Sequence, residues 1–260
     1  MNRPDLFLKS NRWATKLITG IRAVHDGFWL GMLDHAALQE LTARQYGGDD
    51  SYADDVHNLS GLHHWEIGAL DRYFSGCRTL LVGAAGAGRE VIGLAGRGFR
   101  ADGFDCSPKF VGRGRNLCEA RGVAAKFFLA APGGVPEEAG VYDGLIMGWG
   151  GYIHIAGRER RIRFLREFRK HVKDGGPLLI SFLSRSGGSG RVKIPFAVAR
   201  LVRALRLSRE PLEMGDTLAG NWFQHEFTEA EIRHELEQAG FRVEYYSGRF
   251  GGHAVGIAEE

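Results

Sequence analysis

The apolar and polar positions of this chain alternate between two periods from residue 78 onward. Thr79-Leu-Leu-Val82 is a short apolar run leading into a turn of Gly and Ala, and residues 88–97 then follow a helical period. Phe99–Phe104 is a second run, closed by Asp105. Ser107-Pro108 opens a helix to about Arg121, with Ser as its cap and Pro at its first position. Ala125–Leu129, Tyr142–Met147 and Leu178–Leu183 are three further strands. Between the last two, residues 157–172 place Ile162, Leu165, Phe168 and Val172 on one helix face, and Asp174-Gly-Gly-Pro177 is a turn. Thr228 with Glu231 forms a capping box for a helix that stops at Gly240. Phe241–Tyr246 and Ala254–Ala258 then make a terminal strand pair. Alternation with apolar strands predicts an α/β fold: a three-layer sandwich on a mostly parallel seven-stranded sheet covered on both faces, with one antiparallel C-terminal strand and helical lid elements.

Two stretches fall outside that alternation. Residues 12–43 predict one or two helices, and the Gly- and Asp-rich stretch from Tyr46 to Asp55 predicts a loop. Ser60 is placed to cap a helix reaching Phe74. Later, Ser184–Gly190 reads as a flexible link, followed by a helix over Ile194–Leu207. At about 100° per residue, Ile194, Val198, Leu201, Val202 and Leu205 form one stripe opposite Arg200, Arg203 and Arg206. The stripe predicts a lid helix packed on the domain; the alternative is an interfacial membrane helix. The expected organisation is an N-terminal lid over 1–59 and a catalytic domain over 60–260, with a lid insertion at about 187–225.

Composition narrows the class. With 260 residues, 44% hydrophobic and 25% charged, the chain suits one large globular domain. No apolar run reaches the ~18–20 residues of a membrane span. Lys9, Arg12 and Lys16 interrupt any secretory signal. Three Cys without a CxxC spacing give neither a disulfide framework nor a metal knuckle, so a reduced cytoplasmic setting is expected. The 38 Gly imply tight turns or backbone brought close to a ligand. Residues 158–209 hold 15 Lys/Arg and three acids. That block lacks Tyr or Trp for base stacking, so nucleic acid is not indicated as a partner; nor is a membrane.

The stretch that carries chemistry is Thr79-Leu-Leu-Val-Gly-Ala-Ala-Gly-Ala-Gly-Arg-Glu90, followed by Asp105. A strand feeding a small-residue turn that opens a helix lets backbone approach a ligand. An acid at the end of the next strand can accept both hydroxyls of a ribose. Here the chain resembles the class I S-adenosylmethionine-dependent methyltransferases over about residues 60–260. The family's glycine turn is matched by Ala84-Ala85-Gly86-Ala87-Gly88 and its ribose acid by Asp105 in Gly103-Phe-Asp-Cys-Ser-Pro108. Its fourth-strand motif resembles Tyr142-Asp-Gly-Leu-Ile-Met-Gly-Trp149, its Gly-Gly before strand five Gly175-Gly176, and its late signature Phe227–Glu231 through Glu237–Phe241. The chain departs from the family at Ala84, at Val82 or Gly83 where an acid often stands, and at Leu129-Ala130-Ala131-Pro132 after strand three.

The resemblance implies a Rossmann-like fold and S-adenosylmethionine held by Gly83, Ala84, Gly86, Gly88, Asp105, Cys106, Ala130, Gly148 and Trp149. It also implies an acceptor site after strand four and in the lids. His154 and His225 are the candidate proton acceptors there, and Tyr46, Tyr52, Tyr152, Trp222 and His253 the candidate substrate contacts. No metal is expected, since Gly148 stands where metal-dependent relatives keep a carboxylate. The expected reaction is methyl transfer to an oxygen or nitrogen of a small molecule, with an RNA or protein acceptor on the basic block as the alternative. A nicotinamide oxidoreductase and a catalytically silent binding module are weaker alternatives. The oligomeric state stays open between monomer and dimer.

Overall fold

The computed structural model describes residues 2–185 and 190–260. Four residues of the expected flexible link, 186–189, lie outside them. Two helices, α1 (Arg3–Met32) and α2 (His35–Gly48), open the chain, with Asn2 and Asp34 as side-chain caps. A 3₁₀ turn over Asp50–Ala53 and the single-turn α3 (Asp55–Asn58) follow. The stretch expected to be a loop is therefore helical. Its aspartates act as caps: Asp49 accepts the Ser51 amide at 2.9 Å and Asp54 the Val56 amide at 3.1 Å. The next helix, α4 (His64–Tyr73), is capped at His63, three residues after the expected Ser60, and Glu66 closes that box by accepting the His63 amide at 2.6 Å.

The strand–helix alternation then runs β1 (Thr79–Gly83), α5 (Arg89–Ala95), β2 (Arg100–Asp105), α6 (Pro108–Ala120), β3 (Phe127–Leu129), β4 (Gly144–Met147), α7 (Arg158–Arg169) and β5 (Pro177–Ser181). After it come the two-residue β6 (Leu183–Ser184), α8 (Gly190–Leu205), β7 (Asp216–Ala219), β8 (Trp222–Phe227), α9 (Glu229–Gln238), β9 (Phe241–Ser247) and β10 (His253–Ala258). The main sheet has the order β3-β2-β1-β4-β5-β10-β9. β10 is antiparallel to both neighbours and the rest are parallel. β1, β4 and β5 are buried on both faces, which explains their unbroken apolar runs. One core packs α7 and α9 on one face through Phe164, Phe168, Leu236 and Phe241; the other holds Leu70, Phe74, Val91 and Val111.

The insertion is a second, three-stranded sheet, β6-β8-β7, backed by α1 and α8. Leu30, Ala199 and Phe223 meet there. α1 and α8 cross closely, because a Cβ at Gly27 would fall 2.6 Å from the Pro195 carbonyl and one at Gly31 2.6 Å from Val202. α8 is rotated from its expected stripe. Val192, Pro195, Ala199 and Arg203 face inward, while Ile194, Leu201 and Leu205 are exposed. The rotation follows from the glycine contacts on α1, which draw Val198 and Val202 sideways rather than down, and from Arg203, which donates to the carbonyls of Glu210 and Pro211 at 3.0 and 2.9 Å.

Candidate active site

A cavity of about 330 Å³ opens at the C-terminal ends of β1, β2 and β4, where a doubly wound sheet binds ligands. Its floor is the glycine turn. Ala84, Gly86 and Gly88 have φ of 51°, 54° and 103°, so three residues occupy the left-handed region. Ala84 is the residue with a Cβ among them. A Cβ at Gly148 would lie 2.6 Å from the Ala84 carbonyl, and one at Gly151 2.4 Å from the Ala84 methyl. The glycines after β4 therefore leave the room that Ala84 takes up.

Asp105 sits beside this turn and is almost fully buried. Its Oδ2 accepts the Gly86 amide at 2.9 Å and the Tyr46 hydroxyl at 3.2 Å, and its Oδ1 accepts the Ser107 amide at 2.9 Å. Burial lifts the Asp105 carboxyl above its ordinary value, and the Ser107 and Gly86 amides oppose that lift. Burial, reinforced by Asp105, holds the Tyr46 phenol well above its ordinary value, so it remains a donor. Burial and then Asp105 push the Cys106 thiol up to about 12, which removes it as a nucleophile.

A second buried group lies at the other end of the turn. Arg89 donates to Glu66 Oε1 at 2.7 Å and to Glu90 Oε1 at 2.6 Å, and Glu90 also accepts the Trp149 amide at 3.2 Å. Burial works against the Arg89 charge, but Glu90 and Glu66 hold it on. Two carboxylates against one guanidinium leave one negative charge next to the cavity, which Glu90 lines. Sequence reasoning missed Glu90; the signal was its place one residue into α5, directly after the glycine turn.

The opposite wall is aromatic. Tyr46 packs edge-on against Tyr52 and Phe110 at 5.2 and 4.7 Å, Tyr52 meets Trp222 at 6.4 Å, and Trp222 lies 5.9 Å from His154. His154 Nδ1 is 2.6 Å from the Phe223 carbonyl. A carbonyl only accepts, so Nδ1 carries the proton and Nε2 keeps its lone pair. Burial pushes this imidazole below its ordinary value, with the carbonyl bond acting the other way.

Of the residues expected at the site, the fold gathers Tyr46, Tyr52, Ala84, Gly86, Asp105, Cys106, Ala130, Trp149, His154 and Trp222 around the cavity. Gly83, Gly88 and Gly148 shape it from behind. The Gly148 amide bonds the Gly83 carbonyl at 2.8 Å, and Gly88 caps α5 where a Cβ would press the Phe127 ring. Three expectations are corrected. Tyr152 is fully buried, stacked on Phe227, with its hydroxyl donated to Glu235 at 2.5 Å. His225 is fully buried inside the β7–β8 hairpin, its Nδ1 2.7 Å from Asp216 Oδ1. His253 packs at a tilt against Trp65 and Tyr245 over the sheet face that carries α4. None of the three lines the cavity. His57, Asn58, Gln39 and Thr42 line it unexpectedly, because α2 and α3 are ordered over it.

Residues 80–176 match the family model described as a methyltransferase domain. No curated protein matches the chain. Among solved structures, the chain is similar to a SAM-dependent methyltransferase from Methanosarcina mazei at 18% identity and TM-score 0.58, over 76% of this chain and 99% of that one. It is also similar to the CcbJ methyltransferase from Streptomyces caelestis at 14% identity and TM-score 0.59, over 85% and 99%. Magnesium protoporphyrin IX methyltransferase from Synechocystis, with bound SAH, matches at 18% identity and TM-score 0.51, over 83% and 92%. Residues 80–176 thus carry a methyltransferase domain, and the sheet order gives the chain the fold of those methyltransferase structures.

Proposed function

We propose that the protein methylates an oxygen or nitrogen of a small, largely apolar acceptor held between the aromatic lid and the glycine turn. The observation that carries this reading is His154, whose Nδ1–H is committed to the Phe223 carbonyl on a cavity walled by Tyr52 and Trp222. Its unprotonated Nε2 accepts the proton of an acceptor hydroxyl. Bound S-adenosylmethionine supplies a methyl group on a positively charged sulfur.

The chain's own residues orient and enclose. Asp105 accepts the ribose hydroxyls, and the Tyr46 hydroxyl yields or shares that carboxylate. Cys106 and Ala130 border the nucleoside. Glu90, with its surplus negative charge, takes the cationic α-amino group, the role of the acid missing before the turn. Trp222 and Tyr52 hold the acceptor near attack distance, roughly 3–3.5 Å, and exclude water. The basic 158–209 segment favours a macromolecular acceptor less, since Arg161, Arg169, Arg185, Arg203 and Arg206 bond groups within the chain.

Methyl transfer from labelled cofactor to a panel of phenols, hydroxylated heterocycles and amines, with an RNA and a peptide pool alongside, tests the reading. Turnover on a small acceptor, lost in His154→Ala while S-adenosylhomocysteine binds as before, is the expected result. Turnover on RNA or peptide alone would replace it.

A further inference from the structure

α1 carries an apolar stripe that the described residues of the fold leave uncovered. Its buried face in the last three turns is Asp26, Gly27, Leu30 and Gly31. The run Leu6, Trp13, Leu17, Ile21, Val24, Phe28, spaced by seven, four, four, three and four residues, lies on the flank that turns away from Asp26 and Leu30, with Trp13 in line with Gly31 five turns earlier, and is exposed throughout. Trp13 is 68% and Ile21 62% exposed. Hydrogen bonds from α1 side chains to the rest of the fold begin at Arg22, which donates to the Gly220 carbonyl at 3.1 Å. Residues 3–21 thus stand clear of the body for about 28 Å at 1.5 Å per residue.

The stripe continues onto α8. Gly27 meets Pro195 and Val198, and Gly31 meets Ala199 and Val202, so the helices run side by side in the same direction. Viewed from that contact, Ile194, Leu201 and Leu205 turn outward on the same side as Val24 and Phe28, and all three are exposed. Scattered surface apolar residues need no explanation, but a row along two adjacent helices marks a contact surface.

Charge selects the occupant. Residues 6–25 hold Lys9, Arg12, Lys16 and Arg22 with no acid, and residues 190–209 hold six more Lys/Arg with no acid, of which Arg203 is buried and Arg206 is bonded to carbonyls of α1. The rest of the chain carries 24 of the 34 Lys/Arg against all 31 Asp/Glu. A second copy of this surface would bring base against base, whereas an anionic bilayer complements it. Along α1, Lys9, Arg12 and Lys16 border the apolar stripe on one flank, and an apolar face bordered by bases is the pattern of a helix lying in a membrane interface. We propose that the outer face of α1 and α8 docks the protein peripherally on an anionic lipid bilayer. No helix among the described residues is long and apolar enough to cross one, so this is surface docking.

The test is flotation of the whole chain with large vesicles of phosphatidylcholine, with and without a quarter phosphatidylglycerol, at low and high salt. Expected is binding to the anionic vesicles that weakens with salt, with a blue shift of Trp fluorescence. Trp13→Glu with Ile21→Glu, both outward and in contact with nothing that folds the domain, should abolish it. Lys9→Gln, Arg12→Gln and Lys16→Gln together should lower the partition about 100-fold, at about fivefold per base. Calorimetric binding of S-adenosylhomocysteine should not change in either variant, which shows that each is folded. Absence of wild-type binding to anionic vesicles at low salt would overturn the proposal, as would binding that both variants retain. Sedimentation showing a dimer that Trp13→Glu dissolves, without vesicle binding, would assign the surface to a second copy instead.

Discussion

At the residue scale, the cavity sets two unlike ends against each other. Asp105 is a carboxylate already satisfied by two amides and a phenol, so its geometry is fixed before any ligand arrives. Asp105→Ala should leave ribose hydroxyls without a charged acceptor and cost about 1.5–3 kcal/mol, or roughly 10–150-fold in S-adenosylhomocysteine affinity by calorimetry. Glu90→Gln should weaken the same affinity by about tenfold or more, since the cationic amino group then meets a neutral pair of Arg89 and Glu66. An affinity unchanged by Glu90→Gln would return the α-amino group to backbone contacts. As the proposed base, His154 should act on rate rather than on cofactor affinity. Its burial holds the neutral form to lower pH than a free imidazole, so for a hydroxyl acceptor kcat should be full at neutral pH. It should fall as the ring protonates, on an acid limb below about pH 6.5. His154→Ala should remove that limb and lower kcat by about 10²–10⁴-fold.

At the element scale, Asp143 ties the entry edge of the main sheet. It accepts the amides of Arg78 and Thr79 and the Thr79 hydroxyl, each at 2.9 Å, and the Lys173 ammonium at 2.5 Å. The Lys173 bond and the two amides hold its carboxyl well below the ordinary value. Its folded form thus binds protons less readily than the unfolded one. That contribution is present above the ordinary Asp value of about 3.9 and is lost as pH falls through the lower folded value. Asp143→Asn should therefore lower stability at neutral pH by about 1–3 kcal/mol in urea melts, and the difference should shrink toward acid pH.

The main sheet was legible because each of its elements carries its own signal. Strand runs such as Leu80–Val82 are apolar on both faces, and Ser107-Pro108 and Thr228 with Glu231 punctuate their helices locally. Asp105 and the glycine turn were legible for the same reason. What failed depended on distant partners. Tyr46–Asp55 looked like a loop because Gly and Asp are turn residues, yet its aspartates cap helical turns, and Asp50 and Asp55 pair with Lys109 and Arg113 of α6. His225 shared its spacing and its aromatic neighbours with a site residue. Only the hairpin register, which sets it against Asp216, turns it into the core. The α8 stripe was misaligned because nothing in α8 announces that Gly27 and Gly31 of α1 will claim its flank.

At the scale of the whole molecule, two covers meet over the cavity and are held differently. α2 and the 3₁₀ turn sit on the cofactor end, where Tyr46 touches Asp105 and a Cβ at Gly86 would come within 3.3 Å of the Tyr46 hydroxyl. The ion pairs of the 3₁₀ turn and α3 to α6 are partly exposed and worth little each, so the stretch after α2 can open at small cost, while α2 itself is held by Leu38 in the core with Phe223 and by the Thr42 hydroxyl, which accepts the Phe223 amide at 3.1 Å. The β7–β8 hairpin sits on the acceptor end and is anchored through Glu213, which accepts from the fully buried Arg161 at 2.9 Å, while Arg161 also binds Glu235 of α9 at 2.6 Å. Breaking such a buried group costs about 3–5 kcal/mol, so the hairpin should move as a body on its linkers rather than unravel. Amide exchange separates the two covers. In the free protein, residues 44–56 should exchange faster than β1 and β4, because local opening draws on the least stable contacts. S-adenosylhomocysteine alone should slow 44–56, since the proposed ribose site at Asp105 lies under Tyr46, and leave the turn at Ala219–Trp222 unchanged. A bound acceptor should slow that turn as well, because Trp222 and His154 then close on it. Equal slowing of both segments by the nucleoside alone would mean one rigid lid, and the acceptor would have to enter before the cofactor. Protection of 44–56 equal to that of β1 without any ligand would mean no lid at that end, and Tyr46 would be a fixed part of the cofactor floor.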